Sequence, residues 1–439
     1  MIDGLSSFVS AHCMHPLRLF SLTLALASTS LAQGPNEANY DEAKVGTFTL
    51  PPLLVAADGS KITTSEQWIS KRRPEVLELF RENVYGRTPP MPGDVKMEVT
   101  ATKADALGGL ATRKFVHISL AQHPLWQGMD VMLYIPNGLS KSAPVICGLS
   151  FGGNHAVSKE ADIPLSTRWM RDAKDKGIVA NRATEATRGT ESSRWALEMI
   201  MKAGYAVATA YYGDIEPDHP EGWKTGLRAA LSPEGASTQW KANDWGAIGA
   251  WSWGLSRMLD YCETDKSIDT KHAAVIGHSR LGKTSLWAGA QDERFGFVIS
   301  NCSGEGGAAL SRRNFGETTK RITTSFPHWF CANYKKYADD ANANPVDQHM
   351  LIALMAPRAI YIASAEQDKW ADPKGEFLSG KAVGIVYSLF GKTGVGVDEW
   401  PEVNHPVGDW VGYHIRTGIH DVTDYDWEQY LKFADRHFK

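Results

Sequence analysis

The stretch His272-Ala-Ala-Val-Ile-Gly-His-Ser-Arg-Leu-Gly-Lys283 joins an apolar strand directly to Ser279, a serine with a glycine on either side. A helical pattern follows over residues 279–290. A strand that enters a sharp turn at a serine and leaves as a helix is typical of a nucleophile elbow. The glycines let the strand and helix backbones approach each other closely. The second glycine comes one position late, giving GxSxxG in place of GxSxG, but the context still predicts Ser279 as a nucleophile.

The rest of the chain alternates short apolar runs with amphipathic stretches. Strands are predicted at 95–100, 115–119, 129–135, 145–151, 205–212, 272–276, 297–300 and 359–365. Helices are predicted at 65–85, 193–203, 247–261, 279–290, 380–390 and 427–437. Such alternation indicates a mostly parallel sheet that is covered on both faces. With the serine turn, it predicts an α/β protein: an α/β-hydrolase three-layer sandwich with a mostly parallel central sheet and helices on both faces.

The N-terminus has the pattern of an export signal. Residues 19–32 form a mostly apolar run, which is too short to span a membrane. It ends in Ser30-Leu31-Ala32, a small-x-small cleavage pattern. We therefore predict a signal peptide at 1–32 that is cleaved near Ala32, an extended leader at 33–60, and a catalytic domain at 61–439 with an inserted loop at about 155–190. Export would give a secreted or periplasmic protein with no membrane partner.

The composition is ordinary for a soluble protein with a large core. The chain has 439 residues, of which 43% are hydrophobic and 22% charged. A net charge of -4 with scattered basic residues lacks the footprint of a nucleic-acid binder. Fifteen tryptophans suit stacking on sugars, although most aromatic side chains serve the core. The chain is expected to act as a monomer.

Four cysteines remain after removal of the predicted signal: Cys147, Cys262, Cys302 and Cys331. In an exported protein they could form up to two disulfides, and the sequence does not give their pairing. None has CxxC spacing, so no structural zinc site is expected.

The catalytic acid is predicted in the loop after a late strand. A serine nucleophile needs a base and an orienting acid, which follow it in the order Ser, acid, His in this fold. The apolar run 359–365 leads into Glu366 and Asp368. Asp368 is preferred, because the turn should aim it back over the sheet; simple turn capping is its alternative role.

The catalytic base is predicted at His405. Residues 397–400 are interpreted as the last strand, and His405 lies in the loop that follows. His414, His420 and His437 are the competing candidates. A lone histidine is usually structural, but order and spacing favour His405.

Two cations and a glycine-rich loop surround the serine turn. Arg280 and Lys283 lie in the first turn of the predicted helix, where the helix dipole disfavours cations by about 0.3–1 kcal/mol each. Each implies a negative partner: an oxyanion, an acidic product, or a structural carboxylate. Upstream, Phe151-Gly152-Gly153 resembles a loop that supplies an oxyanion-hole N–H. The alternative is that these glycines only make a turn.

These residues together resemble one family, the glucuronoyl esterases, which cleave esters between 4-O-methylglucuronate on xylan and lignin alcohols. Residues 277–283 are similar to the family signature Gly-Cys-Ser-Arg-x-Gly-Lys. The likeness extends over most of residues 75–439. Further similar segments are Trp245-Gly-Ala-Ile-Gly-Ala-Trp-Ser-Trp-Gly-Leu-Ser-Arg257, Ser303-Gly-Glu-Gly-Gly-Ala-Ala-Leu310, Arg312-Arg313-Asn-Phe-Gly-Glu317-Thr318, Pro327-His-Trp-Phe330, Pro345-Val-Asp-Gln-His349 and Ala356-Pro-Arg358.

The resemblance implies a role for each matched residue. Ser279 would be the nucleophile and His405 the base, while Arg280 would support the oxyanion with its backbone N–H and guanidinium. The contacts to the glucuronate ring hydroxyls would come from Lys283, Glu317 and Trp370.

The sequence departs from the fungal pattern in two places. Fungal members carry a catalytic Glu after the strand that follows the elbow, and Cys302 stands at the corresponding place here. The acid must then come from the later loop, as in some bacterial members, which favours Asp368. His278 replaces the cysteine of the fungal motif, which removes the disulfide between the elbow and the histidine loop. A bridge between Cys302 and Cys331 is one alternative.

We therefore expect a serine-type carboxylic ester hydrolase that cleaves esters of glucuronic acid or its 4-O-methyl ether through an acyl-enzyme on Ser279. No metal or organic cofactor is required. The expected substrate is glucuronoxylan or a lignin-carbohydrate ester. An acetylxylan or pectin methyl esterase on the same fold is the alternative. A non-catalytic carbohydrate-binding protein is the least favoured alternative, because the order Ser, Asp, His argues against it.

Overall fold

A nine-stranded sheet forms the centre of the computed structural model, which describes residues 38–439. The predicted signal peptide lies outside the described residues. The strand order is β1-β2-β3-β7-β4-β8-β9-β10-β11, and β5 pairs only with β6. The strands are β1 (Val95–Ala106), β2 (Ala111–Leu120), β3 (Met129–Pro136), β4 (Ala143–Ser150), β5 (Ile178–Val179), β6 (Arg182–Ala183), β7 (Ala206–Tyr211), β8 (Ile268–His278), β9 (Phe295–Asn301), β10 (Ala359–Ala365) and β11 (Val411–Arg416).

The strand directions divide this sheet into two parts. Strands β1 to β3 pair antiparallel with one another, and β3 pairs antiparallel with β7. From β7 across to β11 every neighbouring pair is parallel. The predicted mostly parallel sheet is therefore confirmed, and the carboxyl ends of these parallel strands meet at one edge.

Thirteen α-helices connect the strands within the described residues. Several are single turns, and a π-helical turn at Trp68–Arg72 joins the first two helices. No helix of residues 38–439 is long and apolar enough to cross a membrane. The helices are α1 (Ser65–Gln67), α2 (Arg73–Asn83), α3 (Asn154–Val157), α4 (Leu197–Lys202), α5 (Tyr212–Ile215), α6 (Leu227–Ala230), α7 (Ala247–Thr264), α8 (Arg280–Gln291), α9 (Thr319–Ser325), α10 (Gln348–Ala353), α11 (Pro373–Ala382), α12 (Gly384–Ser388) and α13 (Asp424–Phe438).

Apolar side chains fill the space on both faces of the sheet. Because side chains alternate along a strand, Val145 and Cys147 of β4 point into one core and Ile146 into the other. Helices α7 and α8 cover the first face, and α4 and α13 cover the second. The predicted three-layer sandwich is confirmed by this arrangement.

The nucleophile elbow forms where β8 passes into α8. Ser279 has φ 57° and ψ -128°, a strained backbone conformation for a residue with a side chain. Gly277 lies so close to the helix that a methyl group on it would be 1.8 Å from the carbonyl oxygen of Leu281. The close approach of strand and helix at Gly277 therefore requires a residue without a side chain two positions before Ser279.

The last strand differs from its prediction. Residues 397–400, which we interpreted as a strand, are irregular and largely exposed. The last strand is β11, which is entirely buried and pairs with β10 from Ile360 to Ala365. Strand β11 is buried although it carries His414 and Arg416, whose polar side chains mask its apolar character in the sequence.

The two ends of the described chain lie at different places on the fold. Near the start, Asn39 forms a bridge with Gly316, whose N–H donates to the Asn39 carbonyl at 2.8 Å. At the other end, Phe438 packs on His272 at the beginning of β8 and on Phe297 of β9. Residues 155–190, predicted as an inserted loop, contain only short helical turns and the β5–β6 pair.

Substituting Gly277 by alanine should disrupt the elbow. The added methyl group would overlap the Leu281 carbonyl, and we expect the free energy of unfolding to fall by about 3 kcal/mol or more. Gly384→Ala is the matched control, because a methyl group there has no neighbour within 4 Å; its effect should stay within about 1 kcal/mol. Urea denaturation of the two variants measures both values, and equal stabilities would contradict the steric argument.

Candidate active site

A cavity of about 320 Å³ opens where four parallel strands end at the same edge of the sheet. Ser279 follows β8, Asp368 lies in the loop after β10, and His420 lies in the loop after β11. The cavity is lined by Ser279, Arg280, Lys283, Cys302, Ser303, Gly304, Glu317, Phe326, Trp329, Asp368, Trp370, Ala371 and His420.

Ser279 is held between two elements. Its backbone N–H donates to the Asn301 carbonyl at the end of β9, at 2.9 Å. Its own carbonyl accepts the N–H groups of Gly282 and Lys283 in the first turn of α8. The serine side chain therefore projects from a fixed turn into the cavity.

Asp368 and His420 form a hydrogen-bonded pair. A carboxylate oxygen of Asp368 lies 2.5 Å from Nδ1 of His420, which fixes Nδ1–H as the donor and leaves Nε2 as an acceptor. The Asp368 side chain is only 4% exposed, and His420 is 38% exposed. Glu366, the alternative acid, instead accepts the N–H of Gly418 at 3.4 Å. The geometry therefore favours Asp368 over Glu366.

The structure does not bring His405 to this cavity, and its predicted placement is wrong. Its side chain is 71% exposed, and its Nδ1 lies 3.1 Å from the Val403 carbonyl. The error follows from the misassigned strand: the loop that returns to the cavity comes after β11, and it carries His420. The other predicted site residues, Ser279, Arg280, Lys283, Glu317, Asp368 and Trp370, all line the cavity.

Arg280 is fixed by a buried aspartate. One guanidinium nitrogen donates to Asp218 at 2.6 Å, and the guanidinium lies 5.0 Å from the centre of the Trp329 ring. Asp218 also accepts from His328 at 2.8 Å and from the Trp329 indole at 2.7 Å. Burial alone would raise the pKa of Asp218, but these hydrogen bonds and the charge of Arg280 hold it below its usual value. Asp218 therefore stays ionised.

One Arg280 donor remains unused within the described part of the chain. Its Nε is buried and has no hydrogen-bond partner there. The backbone N–H of Arg280 opens α8, where helix geometry leaves N–H groups without an intrahelical acceptor. The backbone N–H of Arg280 is thus a donor in the residue directly after Ser279.

Lys283 and Glu317 form a buried ion pair in the cavity wall. Their charged atoms lie 3.5 Å apart, and each side chain is 5% exposed. Lys283 also donates to the Ser303 carbonyl at 2.6 Å. Burial raises the pKa of Glu317, and the charge of Lys283 opposes that shift. Both cations of the elbow therefore have carboxylate partners in the protein, the alternative that the sequence left open.

Trp370 lies at the rim of the cavity, 36% exposed. Its carbonyl accepts the N–H of Glu317 at 2.9 Å, which ties the rim to the wall. The guanidinium of Arg321 lies 6.0 Å from the ring centre. The ring of Trp370 at the rim is therefore partly accessible to solvent.

The glycine-rich loop has a different role from the predicted one. The N–H of Phe151 donates to the buried carboxylate of Glu191 at 3.2 Å, and Gly152 donates to it as well. Neither residue lines the cavity that contains Ser279. The structure therefore does not place Gly152 and Gly153 against Ser279, where the oxyanion contribution was predicted.

A buried carboxylate beneath the cavity organises its floor. Glu376 accepts the N–H groups of Ser303 and Gly304 at 2.8 and 3.0 Å, and the hydroxyl of Ser364 at 2.6 Å. Burial raises its pKa to about 8, and the neighbouring charge of Asp368 adds to this. Glu376 therefore keeps Ser303 in place, and Ser303 in turn holds Lys283.

A second network, of hydrogen bonds and ring contacts, lies next to the loop after β11 that carries His420. His278 lies under His420, with ring centres 4.4 Å apart, and its Nδ1 is 2.6 Å from the Asn301 amide oxygen. Asn301 donates onward to Asp426, which also accepts from Arg416 at 2.7 Å. Burial and the charge of His420 lower the pKa of His278, so a neutral ring packs against His420.

All four described cysteines are free thiols in the structure. The suggested bridge between Cys302 and Cys331 is therefore absent from the described residues. Cys302 lines the cavity, while Cys147, Cys262 and Cys331 lie elsewhere in the core.

Sequence reasoning kept His420 only as a competitor of His405. It assigned no role to Asp218 or to the aromatic wall residues Phe326 and Trp329. His420 follows Thr417-Gly418, a turn after a strand, and correct assignment of β11 would have selected it. Asp218 is one of several acids in residues 214–218. No local signal distinguishes it, because its partners come from distant segments.

A strand-to-helix serine turn with an Asp–His pair at the same sheet edge defines a serine hydrolase of the α/β-hydrolase type. Residues 238–391 match the family model described as glucuronyl esterase of fungi. A carbohydrate esterase from an unknown prokaryotic organism is 49% identical over 92% of this chain and 93% of its own length.

Two further relatives extend this comparison. The structure of a glucuronoyl esterase from Solibacter usitatus has a TM-score of 0.86 and 51% identity, covering 90% of this chain and all of its own. A 4-O-methyl-glucuronoyl methylesterase from Schizophyllum commune is 32% identical over 78% of this chain and 74% of its own length. The chain belongs to the glucuronoyl esterase family and is a carboxylic ester hydrolase.

Glu376 should make stability depend on pH. Its folded pKa of about 8 lies above the ordinary value of a glutamate, 4.5, so its contribution is fully present below pH 4.5 and is lost as pH rises through about 8. Glu376→Gln keeps an oxygen acceptor for Ser303 and Gly304 and cannot ionise. We therefore expect wild type to lose unfolding free energy relative to this variant between about pH 5 and pH 8.

Chemical denaturation at both pH values tests this expectation. Glu198→Gln, which removes an exposed carboxylate on α4, is the control. If wild type and Glu376→Gln changed in parallel with pH, the assignment of this titration to Glu376 would be wrong.

Proposed function

We propose that the protein hydrolyses esters of glucuronic acid and its 4-O-methyl ether, with Ser279 as nucleophile, His420 as base and Asp368 as the orienting acid. The observation that carries the proposal is the meeting of these three residues in one cavity whose wall holds Lys283 and Glu317. The names of the related esterases support the substrate class.

The Asp368–His420 pair defines the proton transfers. Nδ1–H of His420 donates to Asp368, so Nε2 accepts the proton of Ser279 as its Oγ attacks the ester carbonyl. The protonated His420 then gives this proton to the leaving alcohol, and an acyl-enzyme forms on Ser279. Water, deprotonated by His420, attacks the acyl-enzyme, and His420 returns this proton to Ser279 as the uronic acid is released.

Arg280 is proposed to stabilise the oxyanion. Its backbone N–H heads α8, and its Nε lacks a protein acceptor in the described chain. Asp218 holds the guanidinium before substrate arrives, so little reorganisation is needed as charge develops. The anchoring carboxylate also keeps the arginine from folding into solvent.

The sugar ring is proposed to lie against Lys283, Glu317 and Trp370. The ion pair offers a donor and an acceptor in fixed positions, which suits ring hydroxyls. Trp370 offers a half-exposed face at the rim, and a planar apolar ring suits the C–H face of a pyranose. These contacts are the ones that the family resemblance implies.

We further propose that the natural substrate is a glucuronoxylan or lignin-carbohydrate ester and that the protein acts as an exported monomer. The apolar run of residues 19–32 and its small-x-small end support export. Light scattering of the purified protein would test the monomer, and N-terminal sequencing of secreted protein would test cleavage near Ala32.

The two histidines can be separated by mutation. His420→Ala should lower kcat/KM for methyl glucuronate by about 10³-fold or more, because the base is lost. His405→Ala should stay within about threefold of wild type, because its side chain is exposed and outside the cavity. Ser279→Ala provides the reference for full loss. A larger loss from the His405 change would overturn the assignment of the base.

Substrate preference tests the sugar wall. We expect kcat/KM to be at least about tenfold higher for methyl glucuronate than for methyl galacturonate, a difference of about 1.4 kcal/mol. Trp370→Ala should raise KM by about 2- to 12-fold, for a stacking contribution of about 0.5–1.5 kcal/mol. Trp400→Ala is the control, since Trp400 has similar exposure, 41%, and lies outside the cavity. Preference for galacturonate or acetylated xylan would instead indicate the alternative esterases.

A further inference from the structure

Three side chains with different metal-binding atoms meet at the base of the cavity. The sulfur of Cys302, a carboxylate oxygen of Asp368 and a ring nitrogen of His420 all lie within 4.8 Å of one another. All three residues line the cavity with Ser279. The thiol is thus part of the same cluster as the Asp–His pair.

The backbone fixes this cluster before any ligand arrives. Cys302 has a φ of 45° directly after β9, and its N–H donates to the Ala363 carbonyl of β10 at 2.7 Å. The N–H of Asp368 donates to Ala365 at 3.1 Å, in the turn that ends β10. Because β9 and β10 pair in parallel, the backbones of Cys302 and Asp368 are held close to each other at the sheet edge.

The cluster is open on one side. Cys302 and Asp368 are 2% and 5% exposed, whereas His420 is accessible from the cavity. A cation entering through the cavity would reach the histidine first and then the thiol. Burial and the carboxylates of Asp368, Glu376 and Asp426 raise the pKa of the Cys302 thiol, opposed by Arg416. The negative charges of Asp368 and Asp426 favour the arrival of a cation.

The donor types select the kind of cation. One sulfur, one nitrogen and one oxygen suit Zn²⁺ and its softer relative Cd²⁺, while Mg²⁺ and Ca²⁺ prefer oxygen alone. Three protein ligands leave the fourth position of a tetrahedral site to water. On binding, the Cys302 thiol releases its proton to solvent, because a coordinated thiol is deprotonated, and His420 coordinates through the ring nitrogen that carries no proton.

We propose that Cys302, Asp368 and His420 bind a thiophilic divalent cation, and that this binding reversibly inhibits the esterase. The inhibition rests on the proposed role of His420 as base: a histidine and an aspartate that hold a metal cannot activate Ser279. The presence of a thiol at this position therefore makes the catalytic pair sensitive to metal.

Metal binding is tested without reference to turnover. Cd²⁺ added to the metal-free protein should produce the ultraviolet charge-transfer band of a cadmium–thiolate bond, saturating at one ion per chain. Cys302→Ser should lose the band, and Cys331→Ser, which removes another buried thiol outside the cavity, should keep it. Absence of the band in wild type, or its persistence in Cys302→Ser, would refute the site.

Inhibition is tested with methyl glucuronate as substrate. Zn²⁺ should inhibit wild type and Cys331→Ser equally, and a chelator should restore activity. Cys302→Ser should need at least tenfold more Zn²⁺ for half inhibition, about 1.4 kcal/mol of lost binding. Equal sensitivity of Cys302→Ser and wild type, or activation by Zn²⁺, would overturn the proposal.

The cadmium and inhibition experiments remain informative if a variant misfolds or if the enzyme lacks the proposed activity. If Cys302→Ser does not fold, Cys302→Ala replaces it, and the cadmium titration of wild type needs no variant at all. If the enzyme proved inactive on glucuronate esters, the cadmium band would still report on the site, so failure of the proposed function and failure of the metal site are distinguishable.

Discussion

The parallel pairing of β8, β9, β10 and β11 is the constraint on which the site depends. Because these strands run in one direction, their carboxyl ends deliver Ser279, Cys302, Asp368 and the His420 loop to one edge of the sheet. These residues are far apart in sequence, and the register of the paired strands brings them together. The elbow then positions the nucleophile: the close approach at Gly277 brings strand and helix together around Ser279, whose backbone is strained.

Buried acidic side chains behind the cavity hold this edge of the sheet in place. Asp218, Glu376 and Asp426 each accept several hydrogen bonds and are almost wholly buried. Removing one partner of such a group would leave the other unsatisfied, at a cost of several kcal/mol. Asp218 holds Arg280, Glu376 holds Ser303, and Asp426 holds Arg416 at the start of the loop that carries His420.

Much of this arrangement was predictable from local sequence, and one part was not. Ser279, Arg280 and Lys283 stand in one motif whose strand–turn–helix context is readable, and Asp368 follows an apolar strand. The histidine was misplaced, because β11 is buried on both faces and its sequence, Val411–Arg416, contains a histidine and an arginine that mask its apolar character. Those polar groups are paired with Asp426, a long-range contact that no local pattern reveals.

The bridge between Asn39 and Gly316 has a practical consequence for protein engineering. Gly316 precedes Glu317, so the first described residues are attached directly to the wall of the cavity. Phe438, by contrast, packs at the opposite edge of the sheet, where β8 and β9 begin. An affinity tag or a carbohydrate-binding module fused ahead of Asn39 would crowd polymeric substrates, whereas one fused after Lys439 would leave the entrance clear.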